Sequence, residues 1–157
     1  MPPAPPGDVR LAVPSDEEAL MALLRLRHRE DGIGSFDEEE VRLTVRRGIM
    51  RDYAYVGVIR DGGVLTASIG LFLGGFWYSR ESHLTDFWNF VAPGFRRTTH
   101  AKNLLLFAKW VSDQLGRPLV MAKIQNDETA QLLKLYERQL PKSGALFVYG
   151  IPAKVAS

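Results

Sequence analysis

The stretch that decides the fold is FVAPGFRRTTHAKNLLLFAKW, Phe90 to Trp110. A β-type run meets Pro93, the turn then holds two arginines, two threonines and a histidine, and a long helix follows. Leu104, Phe107, Ala108, Val111 and Leu115 recur at helical spacing and give that helix one apolar face. Gly116 and Pro118 stop it. A strand-to-helix connection needs only a short turn and a cap. This one adds Arg96, Arg97, Thr98, Thr99 and His100, with Lys102 on the first helical turn. Helix N-termini carry unpaired N–H groups and partial positive charge, so phosphate binds them readily. Arginine supplies permanent charge and forked donors. An anion-binding turn accounts for these residues, and so does a Thr-capped helix flanked by solvated arginines.

Outward from that segment the pattern alternates between strand and helix. DVRLAV reads as a first strand, and PSDEEALMALLRLRHRED as a helix with apolar positions at Leu20, Leu23, Leu24 and Leu26. Its acids come first and its bases last, which suits the helix dipole. FDEEEVRLTVRRGIM is a second helix, capped by Asp37 or Ser35. Two β-rich runs flank Asp61-Gly62-Gly63 and predict a hairpin. LTDFWNFV is a strand, PLVMAKI a buried strand, DETAQLLKLYERQL a helix and GALFVYG a closing strand. The order β-α-α-β-β-β-α-β-α-β predicts an α/β (α+β) domain. Its central sheet is mixed and mostly antiparallel, with helices on both faces and one right-handed parallel crossover after Leu84.

The totals narrow the function classes. The chain has 157 residues, 46% of them hydrophobic and 24% charged, a globular composition for one domain. Residues 1–7, MPPAPPG, read as a disordered lead-in without the apolar core of a secretory signal, and 8–157 as the domain. The absence of cysteine removes disulfides and thiolate chemistry, and three histidines without ligand spacing predict no metal site. No apolar run reaches membrane-span length, so a cytoplasmic protein is the default. A net charge of +2 is too small for a nucleic-acid binder. RLRHRE, VRRGIMR and GFRR would form the footprint for a nucleic-acid-linked amine, but acids interrupt them. No Gly-Lys-Ser/Thr follows a strand, which excludes a standard P-loop.

The segment VAPGFRRTTHAKNLLLFAKW resembles the coenzyme A-binding motif of the GCN5-related N-acetyltransferases. That signature runs Arg or Gln, two residues, Gly, one residue, then Gly or Ala. Arg96, Thr99 and Ala101 occupy its positions, Thr99 standing where the family has glycine. The chain is similar, from about Val9 to Gly150, to a phage and bacterial subgroup with Arg-Arg-Ser/Thr in this loop. The resemblance implies a GNAT-like fold that transfers acetyl from acetyl-CoA directly to an amine, or a non-catalytic relative that binds CoA or a protein partner. It implies that Arg96, Arg97, Thr98, Thr99, His100, Ala101 and Lys102 hold the pyrophosphate. Asn126 would meet the pantetheine or cap a helix, and a backbone N–H near Phe90 or Val91 would serve the oxyanion.

Direct transfer needs a base for the acceptor ammonium, a donor for the oxyanion and an acid for the departing thiolate. Asp86 is the candidate base; period-2 alternation puts it on one face with Trp88 and Phe90, where burial would raise its pKa. A solvated or arginine-paired aspartate is the plain alternative. Tyr136 falls where the family places its acid, or fills a helix–sheet interface. Trp77 and Tyr78 close over the acceptor or plug the core's end, and His28 and Glu30 face the acceptor or end a solvated helix. The acceptor, a small molecule or peptide amine, is not specified by the sequence; a homodimer is compatible with it.

Overall fold

The computed structural model describes residues 4–123, 130–145, 147 and 149–150. Its central sheet has β1 (Arg10–Leu11), β2 (Ala54–Asp61), β3 (Val64–Gly75), β4 (Ser82–Val91) and β5 (Leu119–Val120), in that spatial order. The first four pair antiparallel and β5 pairs parallel with β4, so the sheet is mixed as expected. Gly62 and Gly63 join β2 to β3 with φ of 58° and 83°, the left-handed pair that a type I′ hairpin requires.

Helices cover both faces. On one, α1 (Glu17–Asp31) and α2 (Glu38–Ile49) bury Leu20, Leu23, Leu24 and Val45 against Val56, Trp88 and Phe90. Asp37 is the α2 cap, accepting from the amides of Glu39 and Glu40. On the other face α3 (His100–Leu115) packs Leu104, Phe107, Ala108 and Val111 against Ile69, Leu71 and Leu84. The last described helix, α4 (Ala130–Gln139), buries Tyr136. Two opposite apolar faces on one sheet are what the helix periodicities require.

The chain's far end differs from the expectation. β5 pairs at only Leu84↔Leu119 and Thr85↔Val120, and Val120 is exposed, so PLVMAKI is not a buried strand. Beyond Val120, among the described residues, the backbone ladder gives way to contacts with β4 that run through side chains, Ala122 N–H to Asp86 and Lys123 Nζ to Asn89 O. Of the expected closing strand GALFVYG, Leu146 and Val148 lie outside the described residues, and Phe147 and Tyr149 are exposed.

Asp16 ties the sheet edge to the start of α1. Its fully buried carboxylate accepts from Arg10 (2.7 and 2.9 Å), Val13 N–H (2.9 Å) and Arg60 (2.9 and 3.1 Å). Burial alone would raise its pKa, but these donors hold it down at about 2. A lowered folded-state pKa stabilises fully above the unfolded value of about 3.9 and loses that contribution as pH falls toward the folded one. Asp16→Asn is therefore expected to unfold at lower denaturant than wild type at neutral pH. The gap should close as pH drops from about 4 to about 2; denaturation series across that range measure it.

Candidate functional site

The site is organised by an irregularity in β4. Leu71 pairs with Asp86 and Gly70 with Trp88, so Phe87 is an extra residue and the alternation slips by one. Trp88 and Phe90 turn toward α1 and α2, its indole lying where a Cβ on Gly70 would come within 2.7 Å. The indole donates to Ser68 Oγ (3.0 Å). Asp86, paired with Leu71, and Asn89, paired with Ile69, turn to the opposite face, where α3 and Tyr136 lie. Asp86 thus does not share a face with Trp88 and Phe90; the bulge breaks the period-2 rule between them.

The same slip brings Asp86, Asn89 and Tyr136 together. Asn89 Nδ2 donates to Tyr136 Oη at 2.5 Å, with both residues buried, and Asn89 Oδ1 has no partner among the described residues. Asp86 is half-buried and accepts from Ala122 N–H (3.1 Å). Its pKa is raised by burial, which outweighs that hydrogen bond and the nearby Lys123 charge. Burial also pushes the Tyr136 hydroxyl up, reinforced by Asp86 and opposed by Asn89.

Among the described residues the outer edge of β4 has no strand partner past Thr85. Ala92 N–H donates to Thr66 O (2.8 Å) and Phe90 continues that register opposite Ser68. Phe90 and Ala92 therefore turn their N–H toward β3, while Asn89 and Val91 turn theirs outward. Lys123 Nζ donates to Asn89 O (3.1 Å) and Arg96 Nε to Val91 O (3.0 Å). The Val91 amide, not that of Phe90, is the donor that faces the opening. Lys123 also meets Asp31 at 3.2 Å, with side chains 5% and 4% exposed, and Arg27 Nε lies 3.5 Å from the same carboxylate. Asp31 belongs to a cleft of about 400 Å³ whose walls include Leu24, Ile33, Phe36, Phe87 and Trp88.

Beyond Pro93 the loop delivers α3 end-on. Thr98 Oγ1 donates to Phe95 O (2.6 Å) and accepts from His100 N–H (3.2 Å). The helical ladder opens at Asn103 N–H to Thr99 O (2.9 Å), so the amides of Ala101 and Lys102 precede it.

Solved structures share this fold. A ribosomal-protein-alanine N-acetyltransferase from Brucella melitensis biovar Abortus 2308 superposes with a TM-score of 0.70 at 17% identity, over 93% of this chain and 98% of that one. The fold is that of the GCN5-related N-acetyltransferases. AAC(6')-Iy in complex with the bisubstrate analog CoA-S-monomethyl-acetylneamine matches with a TM-score of 0.67 at 14% identity, covering 93% and 98%. An aminoglycoside acetyltransferase from an uncultured soil metagenomic sample, in complex with sisomicin, matches with 0.66 at 12%, covering 94% and 95%. No family model matches the sequence, and no curated protein does.

Within this acetyltransferase fold the expected loop residues divide. Arg96 is committed: it pairs with Glu30 (2.6 Å), bonds Val91 O and lies 5.3 Å from the Phe90 ring centre. Arg97 and Lys102 are exposed and have no ion-pair partner among the described residues. Thr99 has φ −84°, a backbone any residue adopts, so the missing glycine does not strain the loop. His100 is buried, stacked on Phe95, with Asp8 3.8 Å from Nδ1; only its amide faces the loop. Asn126 lies outside the described residues. His28 lines the cleft, whereas Trp77 is 95% exposed and plugs no core. Most arginines of the basic footprint are ion-paired: Arg25 with Glu38, Arg27 with Asp31, Arg46 with Glu17, Arg47 with Asp52 and Arg96 with Glu30. Among the described residues no group of His, Cys, Asp or Glu is placed to hold a metal ion, and no helix is long and apolar enough to cross a membrane.

Asn89, Asp31 and Lys123 escape a reading by motif, because a lone asparagine in a strand and two isolated charges carry no spacing signal. The buried pair makes a stability prediction. Asp31→Ala strands a buried ammonium and should cost about 3–5 kcal/mol, whereas Asp31→Leu combined with Lys123→Met should cost less than that single change. Urea denaturation of the three proteins compares them.

Proposed function

We propose that the chain is an acetyl-CoA-dependent N-acetyltransferase that transfers the acetyl group directly to a small-molecule amine. The observation that carries this reading is the convergence of Asp86, Asn89 and Tyr136 beside an edge of β4 that has no strand partner past Thr85 among the described residues and leads into the N-terminus of α3. Arg97, Lys102 and the amides of Ala101 and Lys102 suit a pyrophosphate, since charge and helix dipole act in the same direction there. The Thr98 hydroxyl stabilises the turn itself, and the Arg96 side chain anchors the loop to α1 and β4.

Each chemical step has a group suited to it. The raised pKa of Asp86 makes its carboxylate a better proton acceptor for an alkylammonium than an ordinary aspartate. The Val91 N–H is a fixed donor for a developing oxyanion. The Tyr136 hydroxyl, held protonated by burial, keeps its own proton available for a leaving thiolate while Asn89 donates to its oxygen. The cleft beside Asp31 is sized for a small molecule, and the aminoglycoside-bound neighbours support an amine of that class. A non-catalytic relative that binds CoA or a protein partner is the second reading. The Ala122 amide favours it, because the hydrogen bond to Asp86 draws that carboxylate away from basic duty.

Calorimetry with acetyl-CoA followed by a screen of amines for CoA release tests the proposal. Tight binding with turnover is expected, and Tyr136→Phe should bind CoA like wild type while turnover falls about 10²–10⁴-fold. No binding at millimolar acetyl-CoA overturns the reading; binding without turnover on any amine favours the non-catalytic relative.

A further inference from the structure

We propose that Lys123 is an internal acetyl acceptor, modified in cis on Nζ when no external amine fills the cleft. The inference rests on the acetyltransferase reading above. It starts from a placement that a structural ion pair does not require. Lys123 Nζ reaches the open edge of β4, 3.1 Å from Asn89 O, instead of ending at Asp31 alone. On that edge it lies beside the outward amides of Asn89 and Val91 and within electrostatic reach of Asp86, while Asn89 itself bonds Tyr136. An ammonium in this position is held as an acceptor amine would be: one carboxylate at 3.2 Å, one carbonyl, and a second carboxylate in electrostatic reach.

The surroundings favour the neutral amine that attack requires. Burial lowers the lysine pKa, and Arg27 opposes the ammonium from the far side of Asp31, although Asp31 and Asp86 both favour it. A buried ammonium beside a buried carboxylate loses part of the cost of two desolvated charges when the proton passes between them. Among the described residues the other lysines lack these features: Lys102, Lys134 and Lys142 are exposed on the surface, and Lys109 has no ion-pair partner.

The step balances without a redox partner. Nζ gives one proton to a neighbouring carboxylate, and its lone pair attacks the thioester carbonyl carbon. The N–C bond forms, the C–S bond breaks, and the electron pair leaves on sulfur, which takes the first Nζ proton back from that carboxylate. The second Nζ proton passes through a carboxylate to solvent, leaving a neutral amide and free CoA. The product removes one of the two cations at Asp31 and keeps a single N–H for it.

The test is intact-mass and peptide mass spectrometry of the full chain incubated with acetyl-CoA and no amine, beside calorimetry on the same sample. A single added acetyl group on Lys123 is expected. Its rate should be independent of protein concentration, competed by free CoA, and the gain should be absent from Lys123→Arg that still binds CoA. Binding without modification of Lys123 overturns the inference and leaves the acetyltransferase reading intact. Acetylation spread over Lys102 and other exposed lysines, unaffected by free CoA, is bulk chemistry and also overturns it. Failure to bind acetyl-CoA overturns both.

Discussion

β4 carries one residue more than the segment of β3 it pairs with, and that surplus at Phe87 governs what each neighbouring side chain faces. In an unbroken strand, residues 86, 88 and 90 would share one face and 87, 89 and 91 the other. With the slip, Asp86 and Asn89 look toward Tyr136 while Trp88 and Phe90 look into the α1–α2 core. Trp88 is secured there by the bare backbone of Gly70 and by Ser68, which itself donates to Gly57 O at 2.8 Å. A bulge also twists its strand away from a neighbour. Among the described residues β5 accordingly keeps two pairs with β4, and the outward amides of Asn89 and Val91 are left beside the opening.

Charge is distributed unevenly around this frame. On the surface, arginines of α1 and α2 interleave with acids from both helices, pairs worth little individually but aligned so that the helices hold each other. Asp16 is the opposite case, a buried carboxylate with a full set of donors. The Asp31–Lys123 pair is buried too, yet Arg27 Nε and Asp31 Oδ1 lack a well-formed hydrogen bond. Incompletely satisfied buried charge is costly, and such costs concentrate where a protein binds or reacts.

Much of the fold was legible in the sequence because it follows from local rules. The Gly62-Gly63 turn, the Asp37 cap and the apolar face of α3 each rest on a few neighbouring residues, and each stands in the structure. The loop from Pro93 to Lys102 was legible as a charged approach to a helix end, but not the division of labour between Arg96 and Arg97, which depends on Glu30 being brought close by α1. The bulge had no marker: Phe87 is neither glycine nor proline, and the alternation reads as regular through it. Asn89 and Lys123 were invisible for the same reason, since their roles arise from contacts with Tyr136 and Asp31 that are distant along the chain.

The opening along β4 is where cofactor and catalytic residues would meet, and its backbone amides report on it directly. With the chain nitrogen-labelled, coenzyme A added stepwise should move the amide resonances of Asn89, Val91, Ala101 and Lys102 together, along one saturation curve. Saturable binding that leaves Asn89 and Val91 unmoved while other amides shift would contradict a site built on the bulged strand.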